Sequence, residues 1–298
     1  MELRRRTSPP PPTEPAVGLD RPPSTGRRIV ALLGSAHPGP TVAVTAFATI
    51  LAVAVGRGSA GATLVAAAVL AGQLSIGWSN DAIDARRDLR TGRRDKPAAT
   101  GGIDGNSVAV AAAIALAVCI PLSLAGGVLA GSIHLVGTVA GWAYNLGLKR
   151  TLMSPLAYAV GFGSLLPFIT LGLPDRPWPA WWAVLVAALL GVAAHLVNAM
   201  PDIEGDVATG VHGFPQRIGR TACRVLTPLL LLTAVAVLLA APDRITLISL
   251  LLAGVAGLVA ITGTALPAAP TSRWPFHATV LTSGLVVMLF LARGSSIV

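Results

Sequence analysis

Long apolar stretches recur along the chain, separated by short segments that carry most of its charged residues. Each stretch is close to the roughly 20 residues that a helix needs to cross a bilayer. The pattern predicts an all-α polytopic membrane protein with about nine transmembrane helices. The predicted spans run near 37–56, 60–80, 106–124, 127–147, 154–173, 180–200, 222–241, 245–265 and 275–292.

The amino-terminal segment lacks this pattern. It combines a proline run at 9–12 with clusters of arginine and has no apolar periodicity. A segment of this composition cannot bury enough apolar surface to form a core. We therefore predict a disordered cytoplasmic tail over residues 1–28 and a transmembrane domain over residues 29–298.

The overall composition agrees with membrane residence. Of the 298 residues, 53% are apolar and 12% are charged, and the mean hydropathy is +0.71. Soluble domains carry about a quarter charged residues, so an ordinary soluble protein is excluded. Cys119 and Cys223 stand in separate apolar segments, a spacing that gives neither a disulfide framework nor a metal site.

The basic residues indicate an orientation. A net charge of +9 in a soluble protein would point to nucleic acid. Here, with the amino terminus in the cytoplasm, 18 of the 22 basic residues fall in the tail and the cytoplasmic loops. By the positive-inside rule, the amino terminus is predicted to be cytoplasmic and the carboxyl terminus outside, in a bacterial plasma membrane, with no nucleic-acid partner.

Eight of the 13 acidic residues fall in two cytoplasmic loops. Asp81, Asp84 and Asp88 are spaced i, i+3, i+7, so they share one face if the second helix continues through them. Asp202 and Asp206 are spaced i, i+4 after the sixth span. Carboxylates packed this closely repel one another, and hard oxygen ligands suit Mg²⁺. The alternative is that they are solvated loop charges paired with neighbouring arginines.

The two clusters resemble paired motifs of a known family. The first reads N-D-x-x-D-x-x-x-D over 80–88, and the second reads D-x-x-x-D over 202–206. Together with the stretches at 92–97, 144–150 and 210–219, they resemble the UbiA superfamily of intramembrane prenyltransferases. The resemblance covers nearly everything after the tail.

That resemblance implies a bundle around a central cavity that opens sideways to lipid and is capped on the cytoplasmic side. It implies a Mg²⁺-dependent prenyltransferase that ionises an isoprenoid diphosphate and transfers the prenyl group to an acceptor, aromatic or quinone-precursor-like. The implied metal ligands and catalytic groups are Asp81, Asp84, Asp88, Asp202 and Asp206, with Asn80 beside them.

Further polar residues on the same side are candidates for holding the diphosphate. Lys149 and Arg150 could grip its oxygens, although they could equally be positive-inside anchors. The other candidates for donor binding are Tyr144, Asn198, Arg94 and Lys96.

Polar residues inside the spans need a separate interpretation. His195 is hypothesised to be a base on the acceptor side, and Gln73 lies on a face similar to that of Asn80. His134 has no acidic neighbours and is interpreted as structural. Pro201 precedes Asp202 and is expected to end or turn the sixth helix there.

Three other functions fit parts of the pattern. A transporter would place its acids near the bilayer midplane, whereas these lie at helix ends. A CDP-alcohol phosphotransferase would hold paired aspartates in one short segment, and here Asp88 and Asp202 are far apart. A terpene cyclase of the same superfamily stays open, because it shares the ionisation step and needs no external acceptor.

Overall fold

The computed structural model describes residues 24–90, 103–241, 245–264, 274–292 and 297, without the side chains at 86, 88–90, 264, 276 and 290–292. Regular structure in this part of the chain is helical. The α-helices are α1 (Thr25–Ser35), α2 (Pro38–Ala54), α3 (Gly58–Arg90), α4 (Gly105–Ala125), α5 (Val128–Leu146), α6 (Ser154–Gly163), α7 (Leu165–Thr170), α8 (Trp181–Ala199), α9 (Ile203–Ala208), α10 (Phe214–Ala240), α11 (Leu247–Thr264) and α12 (Trp274–Ala292). Two short 3₁₀ helices span Leu148–Arg150 and Met200–Asp202.

Each of the nine predicted apolar segments is helical, but the number of membrane crossings stays a prediction. Among the described residues, four helical stretches are long and apolar enough to cross a membrane, or five if the bent pair α1 and α2 forms one span. The four are Gly58–Ala85, Gly105–Ala125, Trp181–Ala208 and Phe214–Ala240. The apolar helices at 154–170, 247–263 and 277–289 are shorter.

The structure differs from the prediction at the amino-terminal boundary. Helix α1 begins at Thr25, inside the predicted tail, and it meets α2 at an angle of 62°. The Trp78 indole Nε1 donates a hydrogen bond to the Leu32 carbonyl oxygen at 2.8 Å, which ties α1 to α3. Helix α1 therefore includes residues 25–28, which composition alone assigns to the tail. Residues 1–23 of the predicted tail lie outside the described residues.

The structure also differs from the predicted fifth and seventh spans. The fifth predicted span is divided at Ser164 into α6 and α7. Helix α10 begins at Phe214, well before the predicted start of the seventh span, and turns at Gly219 with φ of 80°. A positive φ favours glycine because it has no Cβ, so this residue lets α10 bend near the second aspartate motif.

The helices surround a cavity of about 980 Å³. Its walls come from α1, α2, α3, α5, α6, α7, α8, α9, α10 and α12. Outside the bundle, large apolar side chains such as Val42, Ile114 and Leu258 are exposed. Apolar exposure of this extent is expected where lipid is the solvent. The bundle therefore presents an apolar exterior and holds its polar groups around an internal space.

Candidate functional site

The first aspartate motif lies on an unbroken helix. Helix α3 continues through the motif to Arg90, as the spacing of Asp81, Asp84 and Asp88 requires. The Asp81 and Asp84 side chains are 1% and 5% exposed and line the cavity with Asn80. The side chain of Asp88 is outside the described residues.

Hydrogen bonds from α5 hold α3 in position next to the first motif. The Asn145 side-chain amide donates hydrogen bonds to the Ile76 carbonyl oxygen and the Ser79 hydroxyl, both at 2.8 Å. These bonds lie one turn before Asp81. They set the register between α3 and the segment that carries Tyr144 and Lys149.

The second motif follows a break in the helix, as the position of Pro201 predicts. Helix α8 ends at Ala199, and Pro201 falls in a 3₁₀ turn that carries Asp202. Asp206 lies on the separate short helix α9. Proline cannot donate the backbone hydrogen bond that would continue the helix. Both aspartates nevertheless line the cavity.

A lysine and an arginine join the two motifs. Lys149 Nζ lies 2.7 Å from both carboxylate oxygens of Asp84. Arg87 donates to Asp84 Oδ2 at 3.0 Å, and its other terminal nitrogen lies 3.9 Å from Asp206 Oδ1. Gln216 Nε2 donates to Asp206 Oδ2 at 2.8 Å. Carboxylates from α3 and α9 thus share a network of donors at the mouth of the cavity.

Lys149 is placed for direct electrostatic contact with Asp84. Its side chain is buried, and burial lowers the pKa of Lys149 below its usual range, whereas the Asp84 carboxylate opposes that shift. A Cβ at Gly213 would lie 2.2 Å from the Lys149 carbonyl oxygen. Only glycine permits this approach of the loop before α10, which carries Gln216 to Asp206.

An aromatic group lies beside the carboxylates. The Tyr144 and Tyr158 rings meet edge to face with centroids 5.3 Å apart, and His195 stacks on Tyr158 at 4.7 Å. Both tyrosines line the cavity, and the Asn198 amide contacts the Tyr158 hydroxyl at 3.4 Å. His195 is 1% exposed, and its Nε2 lies 3.0 Å from the Ser154 hydroxyl. His195 therefore packs against the Tyr158 ring without lining the cavity itself.

Of the remaining predicted residues, some line the cavity and others do not. Gln73 lines the cavity. His134 also reaches it, and stacks on Phe168 with centroids 4.5 Å apart, consistent with a structural role. Arg150 is exposed and is not part of the cavity wall. Arg94 and Lys96 lie outside the described residues.

Several residues of the site escaped the sequence analysis. His37 Nε2 lies 3.1 Å from Asp81 Oδ1, and its φ of 51° is left-handed. Non-glycine residues at positive φ are uncommon and concentrate at functional sites. Arg87, Tyr158 and Gln216 were missed as well. Arg87 could have been found from its position inside the first motif. Counting it only as one of the basic loop residues obscures that position.

The residues present fit Mg²⁺ by the chemistry of their donors. Within the described residues, no three His, Cys, Asp or Glu side chains converge on one point. Mg²⁺, however, is usually held by one or two carboxylates, with waters and phosphate oxygens completing the shell. Asp81, Asp84, Asp202 and Asp206 line the cavity and would supply such carboxylates. The buried Asn80 Oδ1 accepts no hydrogen bond from the described residues and is one more hard oxygen donor.

Comparison with known proteins places this fold and site in a family. The profile of the UbiA prenyltransferase family matches residues 39–293. The chain belongs to that family. Helical content and family membership together identify an integral membrane protein.

One curated relative is the digeranylgeranylglyceryl phosphate synthase of Methanopyrus kandleri, 30% identical over 168 residues. The match covers 56% of this chain, and the chain spans about 60% of that relative's length.

Two solved structures share the fold. A UbiA homologue from Aeropyrum pernix K1 superposes with a TM-score of 0.69 at 17% identity, over 85% of this chain and 98% of that one. A UbiA homologue from Archaeoglobus fulgidus, bound to GPP and Mg²⁺, superposes with a TM-score of 0.61 at 17% identity, over 87% and 99%.

Proposed function

We propose that this protein is a Mg²⁺-dependent prenyltransferase that ionises an isoprenoid diphosphate inside the membrane and transfers the prenyl group to an acceptor. The observation that carries the proposal is the convergence of Asp84 and Asp206 from separate helices on Arg87, with Lys149 against Asp84. Carboxylates and cations set together at the mouth of an apolar-walled cavity suit a metal-bound diphosphate with a hydrophobic tail.

The cations of the site would hold the diphosphate and the carboxylates its metal. Asp81, Asp84, Asp202 and Asp206, with Asn80, would supply oxygen ligands, and bound Mg²⁺ would neutralise the leaving group as a Lewis acid. Lys149 would donate to a diphosphate oxygen, since its Nζ already faces the carboxylates. Arg87 would turn from the carboxylates to the diphosphate, where its planar fork suits phosphate oxygens.

The cavity would protect the cation left when the C–O bond breaks. Tyr144 and Tyr158 present aromatic rings near the carboxylates, and a ring face within about 6 Å attracts a cation. Apolar walls around the tail exclude water that would quench it. An electron-rich acceptor atom would then form the new bond to the prenyl carbon and lose a proton. His195 is proposed to position Tyr158, because it does not line the cavity.

The acceptor is proposed to be aromatic or quinone-precursor-like. The aromatic group of Tyr144 and Tyr158 supports this, since ring faces favour stacking with an aromatic substrate. A second candidate is a lipid that carries a phosphate. It is supported by Arg224, a further cation in the cavity wall, and by the name of the Methanopyrus relative.

The test is diphosphate release by membranes that contain the full-length chain. They are incubated with Mg²⁺ and geranyl, farnesyl or geranylgeranyl diphosphate, with aromatic acceptors, with a glyceryl phosphate lipid or with no acceptor. We expect acceptor-dependent release that EDTA abolishes and that both Asp81→Ala and Asp202→Ala remove. Asp175→Ala is the matched control, because this exposed acid lies in the loop between α7 and α8.

Each other outcome has a distinct meaning. Release without acceptor, with a cyclic hydrocarbon or alcohol as product, would identify a terpene cyclase. Solute flux in vesicles without consumption of any donor would identify a transporter. Full activity of either aspartate variant would contradict the proposed site.

We also infer a cytoplasmic amino terminus, an external carboxyl terminus and a bacterial plasma membrane as the location. The orientation is supported by the concentration of basic residues in alternate loops, which follows the positive-inside rule. Reporter fusions at each terminus test the orientation. A reporter active outside the cell at the amino terminus would contradict it.

A further inference from the structure

A second, small cavity lies directly behind the large one. Its volume is about 50 Å³, and ten of its eleven lining residues are apolar. Five residues line both cavities and therefore form the wall between them. They are Val44, Phe47, Phe162, Leu165 and Ser283.

The small cavity is farther from the aspartates than the wall is. Helix α2 starts at Pro38, next to the His37–Asp81 contact, and Phe47 follows nine residues later, about 14 Å along the helix. Leu51, which lines only the small cavity, is 13 residues from Pro38, about 20 Å along. On α8, which ends just before Asp202, Ala187 and Leu190 line the small cavity at a comparable depth.

Two phenylalanines provide the aromatic rings of the wall, and neighbouring helices pack against both. A Cβ at Gly284 of α12 would lie in ordinary contact, 3.7 Å from two atoms of the Phe47 ring, whereas the approach to Phe162 is closer. A Cβ at Gly191 of α8 would lie 2.9 Å from Cβ and Cγ of Phe162. Both phenylalanines also pack against the main apolar core. The rings are thus held in place from α2 and α6.

From this arrangement we propose that Phe47 and Phe162 end the space available to the donor's isoprenoid tail and so limit the length of the donor. The apolar cavity behind them is an extension that the two rings close. The inference rests on the proposed function, since it concerns the tail of the same diphosphate donor. It makes Phe47 and Phe162 specificity-determining residues.

The experiment compares kcat/KM for geranyl, farnesyl and geranylgeranyl diphosphate in membranes that contain wild-type or variant protein. In Phe47→Ala, the ratio of kcat/KM for the longest donor to that for the shortest is expected to rise about tenfold or more, the scale on which apolar pockets discriminate added methylenes. Phe162→Ala is expected to act in the same direction and serves if Phe47→Ala does not fold.

Refilling the opened space distinguishes a wall from a general loosening of the bundle. Ala187 lines only the small cavity, so Ala187→Leu added to Phe47→Ala is expected to return the ratio towards the wild-type value. The matched control is Phe214→Ala, which deletes the same ring from a residue that lines neither cavity. Its ratio is expected to equal that of the wild type.

The proposal is overturned if the ratio is unchanged in both wall variants, or if Phe214→Ala raises it equally. An unchanged ratio would mean that the tail leaves the cavity by another route. Failure of the proposed function has a different signature, because wild-type membranes would then release no diphosphate from any of the three donors.

Discussion

The two aspartate motifs face the same cavity but are built in different ways. The first lies on α3, a single helix of 33 residues that α5 holds through Asn145. The second follows the break at Pro201 and is divided between a 3₁₀ turn and the six-residue helix α9. A motif on one long helix thus faces a motif on short elements, and Arg87 connects them. We therefore expect the first motif to fix the position of the site and the second to adjust more readily to a ligand.

The comparison predicts the largest loss when the rigid motif loses its central carboxylate. Asp84→Asn keeps the volume of the side chain but removes the charge that faces both Lys149 and Arg87. We expect diphosphate release to fall about 1,000-fold, since a preorganised electrostatic contact of this kind is worth up to about three orders of magnitude. Single-turnover release from membranes with saturating Mg²⁺ measures it.

The same change could act by unfolding the protein. Leaving Lys149 buried without its partner is expected to cost about 3–5 kcal/mol. Asp84→Asn with Lys149→Met removes both charges and is expected to recover thermal stability but not activity. If the double variant regained activity, the carboxylate would have a structural role only.

A smaller loss is expected from the cation that sits against the rigid motif. Lys149→Met removes one contact to the diphosphate while Arg87 still neutralises Asp84. We expect kcat/KM for the donor to fall about 100-fold, the lower end for one lost electrostatic donor. Arg150→Met is the matched control, because Arg150 is exposed outside the cavity wall. Equal losses of kcat/KM in the two variants would show that Lys149 makes no specific contact to the diphosphate.

Breaking the connection between the motifs is expected to change the metal requirement more than the rate. In Arg87→Gln the carboxylates of Asp84 and Asp206 lose a competing cation, so the half-saturating Mg²⁺ concentration should fall about fivefold. The KM for the donor should rise at the same time. A titration of diphosphate release with Mg²⁺ at fixed donor measures the first effect. A rise in the half-saturating concentration would contradict the shared role of Arg87.

The smallest effect is expected at the break itself. Pro201→Ala allows α8 to extend towards Asp202. It also raises the conformational entropy of the unfolded chain, which should lower the free energy of unfolding by about 0.5–1 kcal/mol. Activity should fall less than about fivefold, because α9 remains held by the Gln216 contact to Asp206. Thermal unfolding in detergent and donor kinetics measure both. A loss as large as that of Asp84→Asn would mean that the second motif is as rigidly placed as the first.

The contrast also explains how far sequence alone could reach. Local spacing predicts the face of α3, because a continuous helix fixes where Asp81 and Asp84 point. Spacing alone says less about Asp202 and Asp206, because Pro201 breaks the helix before them, although both line the cavity. Asp104 belongs to the first acidic loop by sequence, yet it caps α4 by accepting from the Ser107 backbone amide at 3.2 Å. Its role is local and has no part in the site.

Contacts between distant segments lie beyond such reasoning. His37 reaches Asp81 because the junction between α1 and α2 packs against α3 beside Gly77. Nothing near His37 in the sequence indicates that partner. The closeness of Arg87 to Asp206 depends on where α9 lies after the break. The wall of Phe47 and Phe162 joins α2 and α6 and becomes visible only when the helices are packed.

The paired charges at the cavity mouth also bear on selectivity for what enters. Since Lys149 and Arg87 already balance Asp84 and Asp206, a free divalent cation gains little by binding there alone. Under the proposed function, a cation that arrives with a diphosphate would offer phosphate oxygens to Lys149 and Arg87 while it binds the carboxylates that they had held. We therefore expect the site to respond to the metal and the donor in combination, so that neither ligand alone would assemble a competent centre.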